Sequence, residues 1–264
     1  MSSYSFTFDK LEFDIPYTTL HYEYEAPIPL IIGFGSIFLY VICIYGLIPL
    51  FSPTTIAGKE TLNKYAKIHF AILFVYSGVC CGSTIYYLYQ SGQFQNYNAF
   101  MCEPLPDWLR VLSLTFILSK IWEWIDTFID IWRGKTPYQI GFLHCYHHAT
   151  TFFLFLLVEN FPSTEKSGML FNGFVHTLMY YHYAFRLPKF MRPFITFAQI
   201  VQLVTVTGIW HLTPPTCPQF ETFPKDHFFE FLAPDAMVPV YAIFFVKFFI
   251  ESYLVKKKET KKEK

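Results

Sequence analysis

Seven apolar stretches run through this chain, and each is long enough to cross a lipid bilayer as a helix. They lie near residues 28–51, 69–90, 108–132, 139–159, 167–185, 193–212 and 233–255. In lipid, only helices and closed barrels satisfy all backbone hydrogen bonds, and stretches of about 20 residues indicate helices. The sequence therefore predicts an all-α membrane protein of one domain, residues 1–264, with residues 28–255 in the membrane-spanning region and residues 256–264 as a lysine-rich tail.

The composition supports lipid as the main solvent of this chain. Of its 264 residues, 53% are hydrophobic and only 15% are charged, whereas about a quarter of a soluble domain is charged. The formal net charge is zero, so bulk charge gives no reason to expect a nucleic-acid partner. The first 27 residues contain no continuous apolar core, which argues against a cleaved signal peptide.

The basic residues alternate between the two sides of the predicted spans. One side carries Lys59, Lys64, Lys67, Arg133, Lys135, Arg186, Lys189, Arg192 and the six lysines of the tail. The other side carries Lys10, Lys166 and Lys225. Because positively charged loops stay in the cytosol, we expect a lumenal N-terminus and a cytosolic C-terminus.

Ionisable residues recur at helical spacing within the third span, where burial in lipid is costly. Lys120, Glu123, Asp126 and Asp130 share roughly one helical face. Lys120 and Glu123 can pair, which lowers the cost of burying them. These residues are either a structural ion pair between helices or part of a functional site.

Three histidines follow in the fourth span. His144, His147 and His148 stand at positions i, i+3 and i+4, so their rings share one helical face. A single histidine could serve helix packing, but three in lipid favour function. Metal binding and acid–base or nucleophilic catalysis are both compatible with such a cluster.

The fifth and sixth spans add polar side chains at helical spacing. The fifth span presents Asn172, His176, Met179, Tyr180 and Tyr183, and the sixth presents Thr196, Gln199 and Gln202. Interhelical hydrogen bonds are the alternative explanation for the two glutamines.

Taken in order, these residues form four motifs. They are Lys120-x-x-Glu123-x-x-Asp126-Thr127, His144-x-x-His147-His148, Asn172-x-x-x-His176-x-x-Met179-Tyr180 with Tyr183, and Thr196-x-x-Gln199-x-x-Gln202. They resemble the signature motifs of the very-long-chain fatty-acid elongase (ELO) family, over residues 100–255 most clearly. His182 stands where that family usually has tyrosine, so no role is carried over to this position.

The resemblance implies a condensing enzyme, a 3-oxoacyl-CoA synthase. Such an enzyme joins malonyl-CoA to a long-chain acyl-CoA and releases CO2 and CoA. The family fold implies seven membrane helices, the last six of which form a barrel around an acyl tunnel. CoA thioesters would be substrates, and neither a cofactor nor a metal is expected. The ketoreductase, dehydratase and enoyl reductase of the elongation cycle are the implied partners, and homodimerisation is left open.

The resemblance also implies roles for individual residues. His147 would take the acyl group from CoA, while His144, His148 and His176 would transfer protons, stabilise the enolate or contact the malonyl carboxylate. Glu123 and Asp126 would orient or charge-balance the histidines. The expected binding residues are Lys120, Asn172, Met179, Tyr180, Tyr183, Gln199 and Gln202 around the acyl and malonyl groups, and Lys135, Arg186, Lys189 and Arg192 at the CoA phosphates. Ordinary positive-inside orientation is the alternative explanation for each of the four basic residues.

Two pairs outside the spans carry separate predictions. Cys102 and Cys217 lie in connections assigned to the oxidising lumen, and ELO relatives tend to have cysteines there, so we expect a disulfide between them. Lys261 and Lys262 occupy the fourth and third positions from the end, which resembles a dilysine retrieval signal of the endoplasmic reticulum.

Two other classes of protein share features with this sequence. A membrane di-iron desaturase or hydroxylase also uses a His-x-x-His-His motif, but it needs about eight ligands from several clusters. Here His21, His69, His211 and His227 are scattered, and one cluster remains. A seven-helix receptor or transporter shares the topology but does not account for four motifs of catalytic residue types.

Overall fold

The computed structural model describes residues 28–52, 56–159, 161–214, 216–217 and 228–255, together with four short strands near the N-terminus. Strand β1 (Phe6–Thr7) pairs antiparallel with β2 (Lys10–Leu11), and β3 (Phe13–Asp14) pairs antiparallel with β4 (His21–Tyr22). For the strands, and for residues 28, 56, 57 and 228–231, the description covers the backbone alone. The predicted retrieval signal at Lys261 and Lys262 lies outside the described residues.

Helices make up the rest of the described chain. They are α1 (Ile28–Ile42), α2 (Ile48–Leu50), α3 (Ile56–Gln90), α4 (Tyr97–Cys102), α5 (Asp107–Trp122), α6 (Trp124–Trp132), α7 (Pro137–Ile140), α8 (Phe142–Val158), α9 (Pro162–Ser167), α10 (Gly173–Phe185), α11 (Arg192–Leu212) and α12 (Phe228–Phe249). Stretches of π-helix at Cys43–Leu47, Gly168–Asn172 and Ile250–Val255 and a 3-10 turn at Lys189–Met191 continue neighbouring helices.

Local sequence sets the helix ends nearest the predicted site. Thr136 caps α7, because its hydroxyl accepts the backbone N–H of Gln139 while the Gln139 side chain accepts the backbone N–H of Thr136. Gly141 then has a φ of 104°, a conformation that glycine adopts without strain, and α8 begins at the next residue. This turn places the three histidines within the first two turns of α8.

Four helical segments of the described chain are long and apolar enough to cross a membrane: Pro29–Leu50, Gly58–Gln90, Lys189–Leu212 and Leu232–Val255. The protein is therefore an all-α, multi-pass membrane protein, as the sequence predicts. The predicted spans at 108–132, 139–159 and 167–185 are helical but do not meet the same criterion. Buried charges interrupt the first of these, and α8 has only 17 residues. The total of seven spans remains a prediction.

The long helices pack against one another in a definite order. Helix α3 lies along α10 and also contacts α5 and α6, which pack against α8. Helix α8 contacts α12, α12 contacts α11, and α11 contacts α10. Helix α1 packs on α8, and a side chain at Gly33 would collide with the ring of Phe153 there. A glycine at position 33 therefore allows this close approach.

Polar contacts join the connections at one end of the bundle. Cys102 and Cys217, the predicted pair, form a disulfide with their Cα atoms 5.0 Å apart. Arg110 binds Glu159 at 3.0 Å and Glu165 at 2.7 Å. Lys166 is fully buried and donates to the carbonyl oxygens of residues 99 and 100, and this burial lowers its pKa to about 8. The charge pattern treated Lys166 as an ordinary loop residue, whereas the structure buries it.

Candidate functional site

A cavity of about 590 Å³ lies between α8, α10, α11 and α12. Its polar lining comes from residues of all four predicted motifs, from His182 and Arg192, and from α12 and the π-helical stretch after it: Glu123, His144, His147, His148, Asn172, His176, His182, Tyr183, Arg192, Thr196, Gln199, Gln202, Lys247, Glu251 and Tyr253. Apolar residues such as Val175 and Phe245 complete the wall. The four histidines predicted to act together therefore line one cavity.

The histidine rings of α8 lie close to one another. The ring centroids of His144 and His148 are 4.3 Å apart and nearly parallel, and those of His147 and His148 are 5.5 Å apart. Spacing of three and four residues along the helix gives this arrangement directly. In the described part of the chain, no hydrogen bond holds the His147 ring, which instead packs against the rings of Tyr241 and Phe245.

Lys120 and Glu123 form a buried ion pair beside the cavity. Nζ of Lys120 donates to Oε1 of Glu123 at 2.7 Å and to Oδ1 of Asn172 at 2.8 Å, above the ring of Phe116. Oε1 of Glu123 lies 3.3 Å from Nδ1 of His176. Because the oxygen of Asn172 is engaged by Lys120, its amide N–H groups remain as donors on the side of the cavity.

Asp126 lies behind this ion pair and has different partners. Its Oδ1 is 2.7 Å from Nε2 of His69, and its Oδ2 accepts the hydroxyl of Tyr180 at 2.8 Å. Trp122 donates its indole N–H to Nδ1 of His69 at 3.1 Å. Tyr180, which was predicted as a binding residue, is fully buried and does not line the cavity. Its ring instead meets that of His176 edge to face, 5.5 Å away.

Two further contacts orient the histidines of α8. Nε2 of His144 lies 3.0 Å from the hydroxyl of Thr127, which in turn lies 2.9 Å from the hydroxyl of Tyr40 on α1. Trp124 donates its indole N–H to the backbone oxygen of His148 at 2.8 Å. Helix α1 therefore contributes Tyr40 to the support of the site, and α6 contributes Thr127 and Trp124.

A second, smaller cavity of about 70 Å³ adjoins the first. His147, Asn172, Gln202 and Leu203 line both cavities. The other walls of the small cavity are largely apolar and include Leu154, Phe155, Val158, Val206, Trp210 and Val238, with Lys120 and Asp235 as its charged residues. The imidazole of His147 therefore borders a polar cavity and a smaller, mostly apolar one.

The remaining predicted binding residues fall into two groups. Met179, Tyr183, Gln199 and Gln202 line the large cavity, and Gln199 donates to the sulfur of Met179 at 3.7 Å. Lys135, Arg186 and Lys189 do not line it.

Lys135 instead binds Asp130 at 2.9 Å, and Arg186 ends α10 with a φ of 58°. Arg192, the fourth basic residue expected at the CoA phosphates, does line the cavity, and so does Lys247, which was not predicted as a binding residue. His182 also lines it, and its Nδ1 accepts the backbone N–H of Leu187 at 3.0 Å, which caps the end of α10.

His69 and Tyr40 are the supporting residues that the sequence analysis missed. The sequence gives one indication for His69, because it is an ionisable residue inside a predicted span. It lies far along the chain from the histidine cluster of the fourth span, so the sequence does not assign it to the site. Tyr40 is one tyrosine in an apolar stretch and gave no signal. Among the described residues, no group of three or more His, Cys, Asp and Glu side chains is arranged to hold a metal ion.

The comparison with known proteins agrees with the motifs. The sequence profile of the GNS1/SUR4 family, also called ELO, matches residues 30–262. This chain belongs to the ELO family. Very long chain fatty acid elongase 2 of Rattus norvegicus is 33% identical over 157 residues, 56% of this chain and 53% of that protein.

Two other relatives extend the comparison of this ELO-family protein. Very long chain fatty acid elongase 5 of Mus musculus is 34% identical over 148 residues, which cover 52% of this chain and 46% of the mouse protein. Fatty acid elongase A of Dictyostelium discoideum is 26% identical over 246 residues, 88% of each chain. The chain thus spans about half the length of the two mammalian relatives and most of the Dictyostelium one.

Proposed function

We propose that this ELO-family protein elongates fatty acids as a condensing enzyme, a 3-oxoacyl-CoA synthase. It would join malonyl-CoA to a long-chain acyl-CoA to give a 3-oxoacyl-CoA two carbons longer, with release of CO2 and CoA. One observation carries the proposal: His147 borders both a polar cavity and a mostly apolar one. A thioester needs this pairing, because its acyl chain is apolar and its CoA part is polar and anionic.

The two cavities suit the two ends of the substrate. The apolar cavity would hold the start of the acyl chain and widen around it, since a bound chain needs more than about 70 Å³. The polar cavity of about 590 Å³ would hold the thioester and the adjoining part of CoA. Arg192 and Lys247 supply positive charge for the phosphates there.

The first chemical step would be acyl transfer to His147. A ring nitrogen attacks the thioester carbonyl, the N–C bond forms and the C–S bond breaks. CoA leaves as the thiol after it takes up the proton that the imidazole gives up. The ring of His147 is free of hydrogen bonds within the described residues and borders both cavities, which suits a nucleophile.

The second step would be decarboxylative attack by malonyl-CoA. The bond to its carboxylate breaks, CO2 leaves, and the enolate attacks the acyl-imidazole carbonyl. The new C–C bond forms as the C–N bond to His147 breaks, and the departing ring nitrogen takes up a proton that His144 or His148 would relay from solvent. Asn172 and His176 border the cavity on the opposite helix and would donate hydrogen bonds to the enolate oxygen.

The ion pair would keep these donors in place. Lys120 holds the oxygen of Asn172, and Glu123 lies beside Nδ1 of His176, so both donors depend on the same buried pair. His144 and His148 would carry protons between the reacting groups and the mouth of the cavity.

The proposed setting is the endoplasmic reticulum membrane. Seven spans would place the N-terminus in the lumen and the tail in the cytosol. The last six would form a barrel, a proposal supported by contacts that link α3, α5 with α6, α8, α12, α11 and α10 back to α3. Long-chain acyl-CoA and malonyl-CoA would be its substrates, and the ketoreductase, dehydratase and enoyl reductase of the cycle its partners.

A condensation assay tests the proposal. Purified protein in lipid is incubated with labelled malonyl-CoA and a series of acyl-CoA substrates of increasing chain length. We expect a 3-oxoacyl-CoA product, with CO2 and CoA released in equal amounts. His147→Ala is the matched inactive variant. Absence of product from every substrate, in protein that is folded and inserted in lipid, would contradict the proposed function.

A further inference from the structure

His69 lies outside the four motifs and does not border either cavity, yet it is buried against one of the motif carboxylates. It stands on α3, and 8% of its surface is exposed. Its Nε2 contacts Asp126 of α6 at 2.7 Å, and its Nδ1 accepts the indole N–H of Trp122 at 3.1 Å. The three residues join α3, α5 and α6 by side-chain hydrogen bonds.

These contacts determine which ring nitrogen of His69 carries a hydrogen. An indole nitrogen can only donate, so Nδ1 of His69 must be an acceptor without a proton. The imidazole is therefore neutral, with its hydrogen on Nε2, and that N–H donates to Asp126. His69 is a donor of fixed orientation and adds no charge.

Asp126 consequently receives two neutral donors and no cation. Its other oxygen accepts the hydroxyl of Tyr180, so both oxygens are engaged by groups that donate to it. Each oxygen of Asp126 is thereby held by a donor from another helix, one on α3 and one on α10. This differs from Glu123, whose charge is balanced directly by Lys120.

From Asp126 the contacts lead to the cavity through Tyr180. Tyr180, held by Asp126, packs the edge of its ring against His176, which borders the cavity. The orientation of the Asp126 side chain therefore bears on His176 of α10.

We infer that His69 is a positioning residue of the site, which acts through Asp126 and Tyr180 to hold His176 in its reactive orientation. The inference rests on the proposed condensing activity. It adds to the four motifs a residue from α3, a helix that otherwise contributes no motif residue. Loss of the donor leaves a buried carboxylate with one partner, and the carboxylate then turns or takes up a proton.

Three substitutions at one position separate this role from packing. His69→Leu keeps side-chain volume and removes the donor. His69→Ala removes both. His69→Gln keeps an N–H that can reach Asp126 and an oxygen that can accept from Trp122. Tyr76→Phe is the matched control, because it removes a 2.9 Å hydrogen bond between α3 and α5 that does not involve the site.

We expect His69→Leu and His69→Ala to lower kcat by about 10- to 100-fold, because small displacements of reacting groups cost that much. KM for both thioesters should stay within about twofold, since His69 touches neither cavity. His69→Gln should recover most of kcat, and Tyr76→Phe should retain it. Thermal melting in detergent, measured on each variant, reports whether the fold is kept.

A double-mutant cycle gives the sharper result. In the Asp126→Asn background, His69→Leu should lower kcat by less than about twofold further, because the residue it acts through is already neutral. Three results would each overturn the inference while leaving the proposed function intact. In the first, the losses of kcat caused by His69→Leu and Asp126→Asn multiply in the double variant. In the others, His69→Gln is as impaired as His69→Leu, or His69→Leu is normally active. An inactive wild-type protein would overturn the proposed function and this inference with it.

Discussion

Lys120 of α5 donates a 2.8 Å hydrogen bond to Asn172, which ends the π-helical turn before α10, although 52 residues separate them in the chain. The same ammonium group binds Glu123 at 2.7 Å, and 1% of the lysine surface is exposed. This contact fixes two motifs from different helices to each other. A pair of charges at this depth is costly unless each partner is fully engaged.

Glu123→Gln tests the ion pair. The substitution leaves Lys120 as a buried cation without a counter-ion, which costs about 3–5 kcal/mol. We expect loss of thermal stability and at least a 100-fold fall in kcat, because His176 loses its negative neighbour as well. A folded, fully active Glu123→Gln would show that α5 and α6 do not serve the site.

The double variant Lys120→Met with Glu123→Leu separates stability from activity. Replacing a buried ion pair by apolar residues of similar volume is often neutral for stability. We therefore expect the double variant to melt near the wild-type temperature and to remain inactive, because Asn172 is no longer oriented. Recovery of activity together with stability would mean that the pair has a structural role alone.

Arg192 and Lys247 border the cavity and are proposed to bind the CoA phosphates. Arg192→Gln and Lys247→Gln should each raise KM for the CoA thioesters about 3- to 10-fold, with little change in kcat. The effect should weaken at high salt. Lys59→Gln, at the start of α3 and away from the cavity, is the matched control. If Arg192→Gln, Lys247→Gln and Lys59→Gln all had the same KM for the CoA thioesters, Arg192 and Lys247 would not be CoA-binding residues.

The disulfide between Cys102 and Cys217 closes a long loop, since 115 residues separate the two cysteines. A disulfide typically stabilises the folded protein by about 2–4 kcal/mol, because it restricts the unfolded chain. We expect Cys102→Ser and Cys217→Ser to melt lower by similar amounts, and the double variant to melt no lower than either. Mass spectrometry under non-reducing conditions checks the bond, and two alkylatable thiols would disprove it. Cys80 and Cys81, which are free and buried, serve as internal references.

The sequence predicted the histidines at the centre of this site better than it predicted the residues that hold them in place. His144, His147 and His148 share a helical face by spacing alone, and burial of ionisable groups in lipid pointed to Glu123 and His176. The partners of Asp126 were not predictable in the same way. They depend on how α3 and α10 are rotated against α6, and no local pattern contains that rotation.

The basic residues show a second limit. The positive-inside rule assigns Lys135, Arg186 and Lys189 to one side of the membrane, but it does not say which face of the bundle they occupy. Lys135, Arg186 and Lys189 do not line the cavity, whereas Arg192 and Lys247 do. Lys247 lies within a predicted apolar span, so its signal was an ionisable residue inside a span rather than loop charge.

Lys261 and Lys262 give a prediction about location. If they form a retrieval signal, Lys261→Ser with Lys262→Ser should release part of the protein to the Golgi, as seen by microscopy and by glycan processing on a fused lumenal reporter. Lys256→Ser with Lys257→Ser is the matched control, because it removes the same charge without touching the signal. Equal retention of both variants would leave the tail lysines with a role in membrane orientation alone.

The last prediction concerns the order of events at His147. An imidazole that takes the acyl group must release CoA before malonyl-CoA reacts, which gives ping-pong kinetics. Incubation with acyl-CoA alone should therefore release one CoA per active site and leave an acyl group on His147. Both signals should be absent in His147→Ala and present in Cys145→Ser, which changes the neighbouring thiol.

The rival mechanism is direct condensation in a ternary complex, with His147 as a general base. It predicts no CoA release from acyl-CoA alone, together with normal turnover when both substrates are present. The geometry favours the covalent route, because His147 borders the apolar cavity as well as the polar one, whereas His144 and His176 border only the polar one. An acyl group whose chain lies in the apolar cavity would have its carbonyl near the residues that border both cavities, and His147 is the imidazole among them. A base for malonyl-CoA would need to border only the polar cavity, so the position of His147 is better matched to a nucleophile.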